Sequence, residues 1–247
     1  MPASSATAAR ILFLNVGYCT GLEGGTAEYL LNWYRYLYTS RRTMQDVLKG
    51  LHLMLEEESP DICCFLEIHK TTGLLRNMHA YPYFDIENKY GLHALLRHLP
   101  LFRKNCNGVF SRKPLQMQKH FLSAGRKKLV YEVTLENGAS LFVSHLSLTR
   151  GARGKQIAEL AELVRDKKNV ILCGDFNAFR GRKEIAELEA CGLHLVNPPM
   201  KGTFPSANPR ITLDMFLCSP DVDIEQVRVL SDVRLSDHLP VVLDVRL

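Results

Sequence analysis

Polar residues close several apolar runs of this chain, and their types suit chemistry at phosphorus. Asn15 ends "ILFLN", Glu67 ends "DICCFLE", and His145 stands in "LFVSHLSL". Asp175 and Asn177 sit at the tip of "VILCGDFNAF", Asp214 lies in "TLDMF", and Asp237 with His238 form "LSDHLP" ahead of a final apolar run. An apolar stretch followed by Gly, a carboxylate and a carboxamide is a poor finish for an ordinary strand, but it presents two polar groups to a cleft. Singly, each residue has a plainer account. A strand-end Asn such as Asn15 shapes a turn, Asp237 caps a turn ahead of Pro240, and one His in a strand is a hydrogen-bonded core residue. As a set they are carboxylates, amides and imidazoles, each beside an apolar run. Carboxylate and amide oxygens suit a hard cation such as Mg2+, which keeps several waters and takes one or two carboxylates from the protein. No cysteine belongs to the set and no H-E-x-x-H spacing occurs, which argues against zinc. A cation among His and Asp meets the needs of phosphoryl transfer: charge on the phosphoryl oxygens is stabilised, a water is aimed in line, and the leaving oxygen is supported.

Such residues need strands to carry them. Apolar segments bounded by Gly, Pro, Asn and Asp predict strands at about 10–16, 61–67, 107–113, 128–135, 140–146, 169–174, 212–218, 224–230 and 240–246. Ile157, Leu160, Ala161 and Val164 mark one face of an amphipathic helix over roughly 152–166, and Val47, Leu48, Leu51 and Leu55 do so over 43–57. "RKEIAELEAC" predicts a third helix, and "ENGA" the turn of a hairpin over 128–146. Hairpins and strand–helix alternation together imply α/β layers with mixed sheets. Without a repeat, a low-complexity tract or a linker, residues 1–247 are expected to form one domain, with 1–9 disordered.

One segment departs from this alternation. "TAEYLLNWYRYLYTSRR" gathers five aromatic residues; on a helix Tyr29, Trp33 and Tyr36 form one ridge, and Leu30, Tyr34 and Leu37 another. Its plain reading is a helix with aromatics against the core. The alternative is a lid beside the site that grips a ring, sugar or acyl chain, with "GLEGGT" as its hinge and Tyr29 and Trp33 as substrate contacts.

The composition, 46% hydrophobic and 23% charged over 247 residues, suits a soluble chain with a substantial core. No stretch is long and apolar enough to suggest an integral membrane protein, and the opening residues show no secretory signal. Seven cysteines, an odd number without a C-x-x-C pair, read as small buried hydrophobes kept reduced, which suggests a cytoplasmic setting. Cys19, in the loop after the first strand, is the one candidate for an exposed thiol, though burial is the plainer account. A net charge of +5, from clusters such as Arg41–Arg42, Arg126–Lys128, Arg150 with Arg153, and Arg180–Lys183, is compatible with nucleic acid or an anionic membrane surface and does not choose between them. Nothing in the sequence indicates oligomeric state.

The motifs "LNVG", "PDICCFLE", "SHLSL", "GDFN", "LDMF" and "SDH", in that order from about residue 11 to 247, resemble the endonuclease/exonuclease/phosphatase family, with its deoxyribonuclease-I-like fold. The resemblance implies a two-layer β-sandwich of mixed sheets flanked by helices, with the site at one edge between the sheets. It makes Glu67 the principal metal ligand, with Asn15 beside it and Asp237 as a second metal-side carboxylate. The ion implied is Mg2+, with Mn2+ as the other candidate. Asp175 orients and deprotonates the attacking water, and Asn177 holds that water or a phosphate oxygen. His238 contacts the scissile phosphate with Asp214 hydrogen-bonded behind it, and His145 faces the phosphate as a second histidine. Asn107, in "NGVFSR", matches a position near the site, a turn role beside Gly108 being the alternative.

Substrate is less legible. Abasic-site endonucleases of the exonuclease III type usually carry an amide or acid where this chain has Gly17, Tyr where it has His145, and Trp where it has Thr212, so the resemblance points away from that branch. A nucleic-acid phosphodiester is the first choice, as the family's commonest use. A phospholipid of the sphingomyelinase kind or a small inositol-like phosphoester is the alternative, with segment 29–38 as its apolar wall. A non-catalytic binding module on the same fold is the third reading.

Overall fold

The apolar runs become the inner strands of two sheets in the computed structural model of the chain. The structure describes residues 8–25, 28, 31–36, 38–69, 74, 78–91, 95–99, 102 and 104–247. One sheet runs β11 (Asp223–Val229), β12 (Val241–Arg246), β1 (Ala8–Asn15), β2 (Ile62–His69), β4 (Asn105–Ser111), β3 (Tyr83–Asn88). The other runs β5 (Gln116–Phe121), β6 (Leu129–Thr134), β7 (Ser140–His145), β8 (Val170–Asp175), β10 (Asp214–Cys218), β9 (His194–Leu195). Both sheets are mixed. The parallel pairs are β1 with β2 and β7 with β8, and each is joined through a helix, as a parallel crossover requires. These helices are α1 (Arg41–Glu58) and α2 (Arg150–Val164).

Why the central strands read as unbroken apolar runs follows from this layering. Side chains alternate across a strand, and each central strand has a covered face on both sides. Ile11 and Phe13 of β1 meet Val143, Ile171 and Phe216 in the core between the sheets, while Leu12 and Leu14 lie under Val47, Leu48 and Leu51 of α1. Likewise Cys173 of β8 faces the inter-sheet core, and Val170 and Leu172 lie under Ile157, Leu160 and Ala161 of α2. The helix faces expected from spacing are thus the faces that are buried. Ser40 starts α1 as its N-cap, its hydroxyl accepting from Thr43 N at 3.1 Å.

The structure departs from expectation in five places. Ala8 and Ala9, expected to lie in a disordered stretch 1–9, open β1 and pair with Arg246 and Val245 of β12. β3, β5 and β9 are additional, and all three lie at sheet edges, where a strand has one neighbour and need not be apolar. The expected helix over "RKEIAELEAC" is a 3-10 turn at Gly181–Glu184 followed by the short α3 (Ala186–Ala190). In the aromatic segment, Trp33–Tyr36 form a 3-10 turn, and Tyr34, which the helical reading placed on a ridge against the core, is 49% exposed; Tyr38 is 73% exposed. Tyr29 and the Trp33 side chain lie outside the described residues. The Gly-rich stretch before the segment is latched, not open as a hinge. The Glu28 carboxylate accepts from Glu23 N, Gly24 N and Gly25 N at 2.8, 3.0 and 3.4 Å, and the Glu23 carbonyl accepts from Ala207 N. All seven cysteines are free; Cys19 is buried, and burial pushes its thiol up to about 12. No described helix is long and apolar enough to cross a membrane.

Candidate active site

Strand register collects the polar residues. His145 pairs across the ladder with Asp175, and Asp175 with Asp214, so three adjacent strands of one sheet end in a row of imidazole and carboxylates. On the facing sheet Asn15 ends β1 beside Leu66 of β2, with Glu67 next. Asn15 Nδ2 spans the gap and donates to Asp175 Oδ2 at 3.1 Å. All of the expected site residues described with their side chains are buried or nearly so.

Glu67 is aimed by a break in regularity. Pairing of β2 with β4 shifts between Phe65 and Ile68, and Glu67 at the bulge has φ of +52°. A side chain in the left-handed region is uncommon and costs on the order of 1–2 kcal/mol, while a bulge re-aims the residue it carries. The backbone N–H released by the bulge is taken by the Oδ1 of Asn107, at 3.3 Å. Asn107 is therefore no turn former; it sits buried within β4 and secures the Glu67 backbone.

In "GDFN" the glycine, the carboxylate and the carboxamide each have a structural part. A Cβ at Gly174 would lie 2.1 Å from the Ser144 carbonyl, so only glycine lets β8 approach β7 this closely. Asp175 Oδ1 accepts from Asn177 N at 3.0 Å, and its Oδ2 accepts from Asn177 Nδ2 at 3.2 Å and faces His145 Nε2 at 3.2 Å. Asn177, at φ of +50°, also donates from Nδ2 to the Leu146 carbonyl at 2.9 Å. Both amide hydrogens of Asn177 are thereby committed to holding Asp175 and the neighbouring loop. Burial alone would raise the Asp175 pKa, but the hydrogen bond from His145 and the charge of His238 hold it well below the ordinary carboxylate range.

His238 Nδ1 faces both oxygens of Asp214, at 2.8 and 3.0 Å. This bond fixes the ring and its tautomer. Burial opposes the charged ring, yet Asp214, Asp237 and Asp175 together outweigh it and raise His238 to about 10. The imidazolium is the form at neutral pH. The Phe204 ring lies 5.1 Å from the His238 ring, and Phe179 meets Phe204 edge-on at 6.3 Å. Asp237 lies against Gly17, where a Cβ would come 3.3 Å from its Oδ1, so the small residue there makes room for the carboxylate.

Two cations stand in the site that the motifs did not announce. Lys89 Nζ lies 2.8 Å from Glu67 Oε1, and Lys127 Nζ contacts His145 Nε2 and lies 3.9 Å from the same Glu67 oxygen. Burial would raise the Glu67 pKa; Lys89 and Lys127 bring it down to about 2. Burial and Lys127 lower His145 to about 4, so that ring is neutral, and burial lowers Lys127 to about 8. One ring nitrogen cannot both accept from Lys127 and donate to Asp175, and His145 Nδ1 has no partner among the described residues. Gln156 of α2 braces this corner, donating from Nε2 to the carbonyls of Ala124 and Lys127 and accepting from Ser147 N at 2.8 Å. "GRKK" was legible only as a basic cluster, and Lys89 in "ENKYG" carried no signal at all.

Among the described residues, one trio brings possible metal-ligand atoms within 4.8 Å of one another: Asp175, Asp214 and His238. Glu67 and Asp237 are not members of it. The trio's imidazole is already bonded to Asp214 and charged, which disfavours a cation upon it. The oxygens of Glu67, Asn15 and Asp237 are a chemically better fit for a hard ion.

Comparison with known proteins agrees with this geometry. The family model described as "Endonuclease/Exonuclease/phosphatase family" matches residues 14–238. No curated protein sequence matches the chain. Among solved structures, an endonuclease/exonuclease/phosphatase family protein from Bacteroides thetaiotaomicron superposes with a TM-score of 0.70 at 15% identity, covering 98% of each chain. A mannosyl-6-phosphatase of the same organism gives 0.67 at 15% identity, over 97% of this chain and 100% of that one. The human Nocturnin catalytic domain with bound sulfate gives 0.64 at 18%, over 96% and 93%. At such identities the structures establish a shared fold and no shared substrate. With the family model spanning nearly the whole described sandwich and its polar strand ends, the chain belongs to the endonuclease/exonuclease/phosphatase family, whose hydrolases act on phosphoester bonds.

Proposed function

We propose that the chain is a Mg2+-dependent phosphodiesterase in which water attacks phosphorus in line. The observation that carries this is the convergence, at one edge of two sheets, of a His238–Asp214 pair and the tethered Asp175, with Glu67 on the facing sheet. Glu67, Asn15 and Asp237 would hold the ion, which supplies Lewis-acid stabilisation of charge on the phosphoryl oxygens. Asp175, fixed by Asn15 and Asn177, orients the attacking water and takes its proton as the new bond to phosphorus forms. The His238 imidazolium donates to a non-bridging phosphoryl oxygen, held in direction and charge by Asp214. His145 supports the leaving oxygen.

A nucleic-acid phosphodiester is the substrate put first, as the commonest use of the family to which the chain belongs. Exposed Leu148 and Phe179, 63% and 44% accessible and on loops that follow His145 and Asn177, favour a phospholipid or other apolar phosphoester as the second reading. The free cysteines support a reducing, cytoplasmic setting. The test is conversion of supercoiled plasmid to nicked circles at low salt with Mg2+, beside His238→Ala. Nicking by the parent protein alone supports the nuclease reading. If neither nicks, vesicles and small phosphoesters are assayed next, and hydrolysis of none of them sinks the catalytic reading in favour of a binding module.

A further inference from the structure

Lys89 is unlike the surface lysines of the chain. Its ammonium is buried, lies 2.8 Å from Glu67 Oε1, and stands over the rings of Tyr18 and Tyr90 at 4.9 and 5.8 Å from their centroids. Both neighbours of the side chain are built in. Tyr18 belongs to a turn whose three residues, Gly17, Tyr18 and Cys19, have φ of +53°, +54° and +58°, a conformation that only tertiary contacts sustain. The backbone of Lys89 is tied on both sides, its N–H donating to the carbonyl of Asn105, the first residue of β4, at 3.2 Å and its carbonyl accepting from the N–H of Lys128, just ahead of β6, at 2.7 Å. These bonds hold the Lys89 main chain beside Glu67, and Lys127 Nζ lies 3.9 Å from the same carboxylate oxygen.

We propose that Lys89 is a resident cation of the centre, holding Glu67 in position when no divalent ion is bound and competing with that ion for the carboxylate. This rests on the reading above that Glu67 is the metal-side carboxylate. A buried carboxylate needs a counter-charge, and removing one partner of such a pair is strongly unfavourable. Lys89 meets that need permanently, so a divalent ion that arrives at Glu67 meets an ammonium already on Oε1, and like charges in a buried site repel strongly. Lys89 is thus a positioning residue acting through Glu67. It keeps the bulged, left-handed Glu67 ordered in the metal-free protein and weakens the ion's hold.

The experiment is calorimetric titration of Mn2+ alone into the parent protein, Lys89→Met and Lys89→Arg, with thermal unfolding of each in the presence and absence of Mn2+. Lys89→Met is expected to unfold at lower temperature without metal, to bind Mn2+ at least about tenfold more tightly, and to gain more stability from it than the parent does. Lys89→Arg should resemble the parent. Unchanged or weaker Mn2+ binding by a folded Lys89→Met overturns the proposal. If Lys89→Met does not fold, the metal-free cycle with Glu67→Gln decides through Lys89→Arg and the double variant. A Lys89→Met/Glu67→Gln protein more stable than Glu67→Gln alone supports the pair, and one less stable refutes it. Loss of this proposal with Mg2+-dependent hydrolysis intact leaves the functional reading standing, whereas absence of Mn2+ binding to both parent and Lys89→Met removes both.

Discussion

Replacing Asp214 by Asn tests the electrostatic core of the site with little change of shape. The Asn Oδ1 can still accept from His238 Nδ1, so the ring keeps its orientation while a buried charge disappears. A pKa raised from the ordinary 6.5 to about 10 corresponds to roughly 5 kcal/mol in favour of the imidazolium, after the opposing effect of burial. Asp214 is the foremost of three carboxylates responsible, ahead of Asp237 and Asp175. If its removal forfeits roughly half of that preference, on the order of 2–3 kcal/mol, the titration of His238 falls by about two units, toward pH 8. The sign is fixed: a raised pKa keeps the cation present below it, and the cation is lost as pH rises through it. The parent protein should therefore show no alkaline fall in kcat/KM from His238 until pH nears 10. Asp214→Asn should begin to lose activity near pH 8, fall about tenfold per pH unit above it, and stand tens of fold below the parent by pH 10. The assay is a pH–rate profile from 5 to 10, with thermal unfolding at each pH to exclude loss of fold. A folded Asp214→Asn with the parent's rate and profile would refute the assignment of a charged His238.

Two other substitutions probe how the site is built. Asn107→Ala should destabilise the protein by about 1–3 kcal/mol, because the Glu67 N–H at the bulge loses its acceptor, and should also alter Mn2+ affinity; urea unfolding and calorimetry check both. Gly174→Ala should lower stability by at least about 3 kcal/mol, or prevent soluble expression, because the new methyl would meet the Ser144 carbonyl at 2.1 Å; a Tm within a few degrees of the parent's would show that β7 and β8 can part at little cost.

What was legible in the sequence follows from what side-chain alternation and local spacing encode. Central strands covered on both faces must be apolar throughout, so β1, β2, β7, β8, β10 and β12 were readable, as were the buried faces of α1 and α2. The polar residue at the end of such a run has no local explanation, and that mismatch exposed Asn15, Glu67, His145, Asp175 and Asp214. Edge strands β3 and β5 escaped because one solvated face and one neighbour leave "YFDIEN" and "QMQKHF" without a pattern. The lysines escaped for a deeper reason. Lys89 and Glu67 lie 22 positions apart, and Lys89 reaches its partner only because β4 pairs with both β2 and β3 and carries the end of β3 to the bulge at Glu67. A cation paired through tertiary register is indistinguishable in sequence from one bound for solvent. The anionic half of the site, which ends strands, was therefore visible in advance, while the cationic half became visible only once the strands were laid side by side.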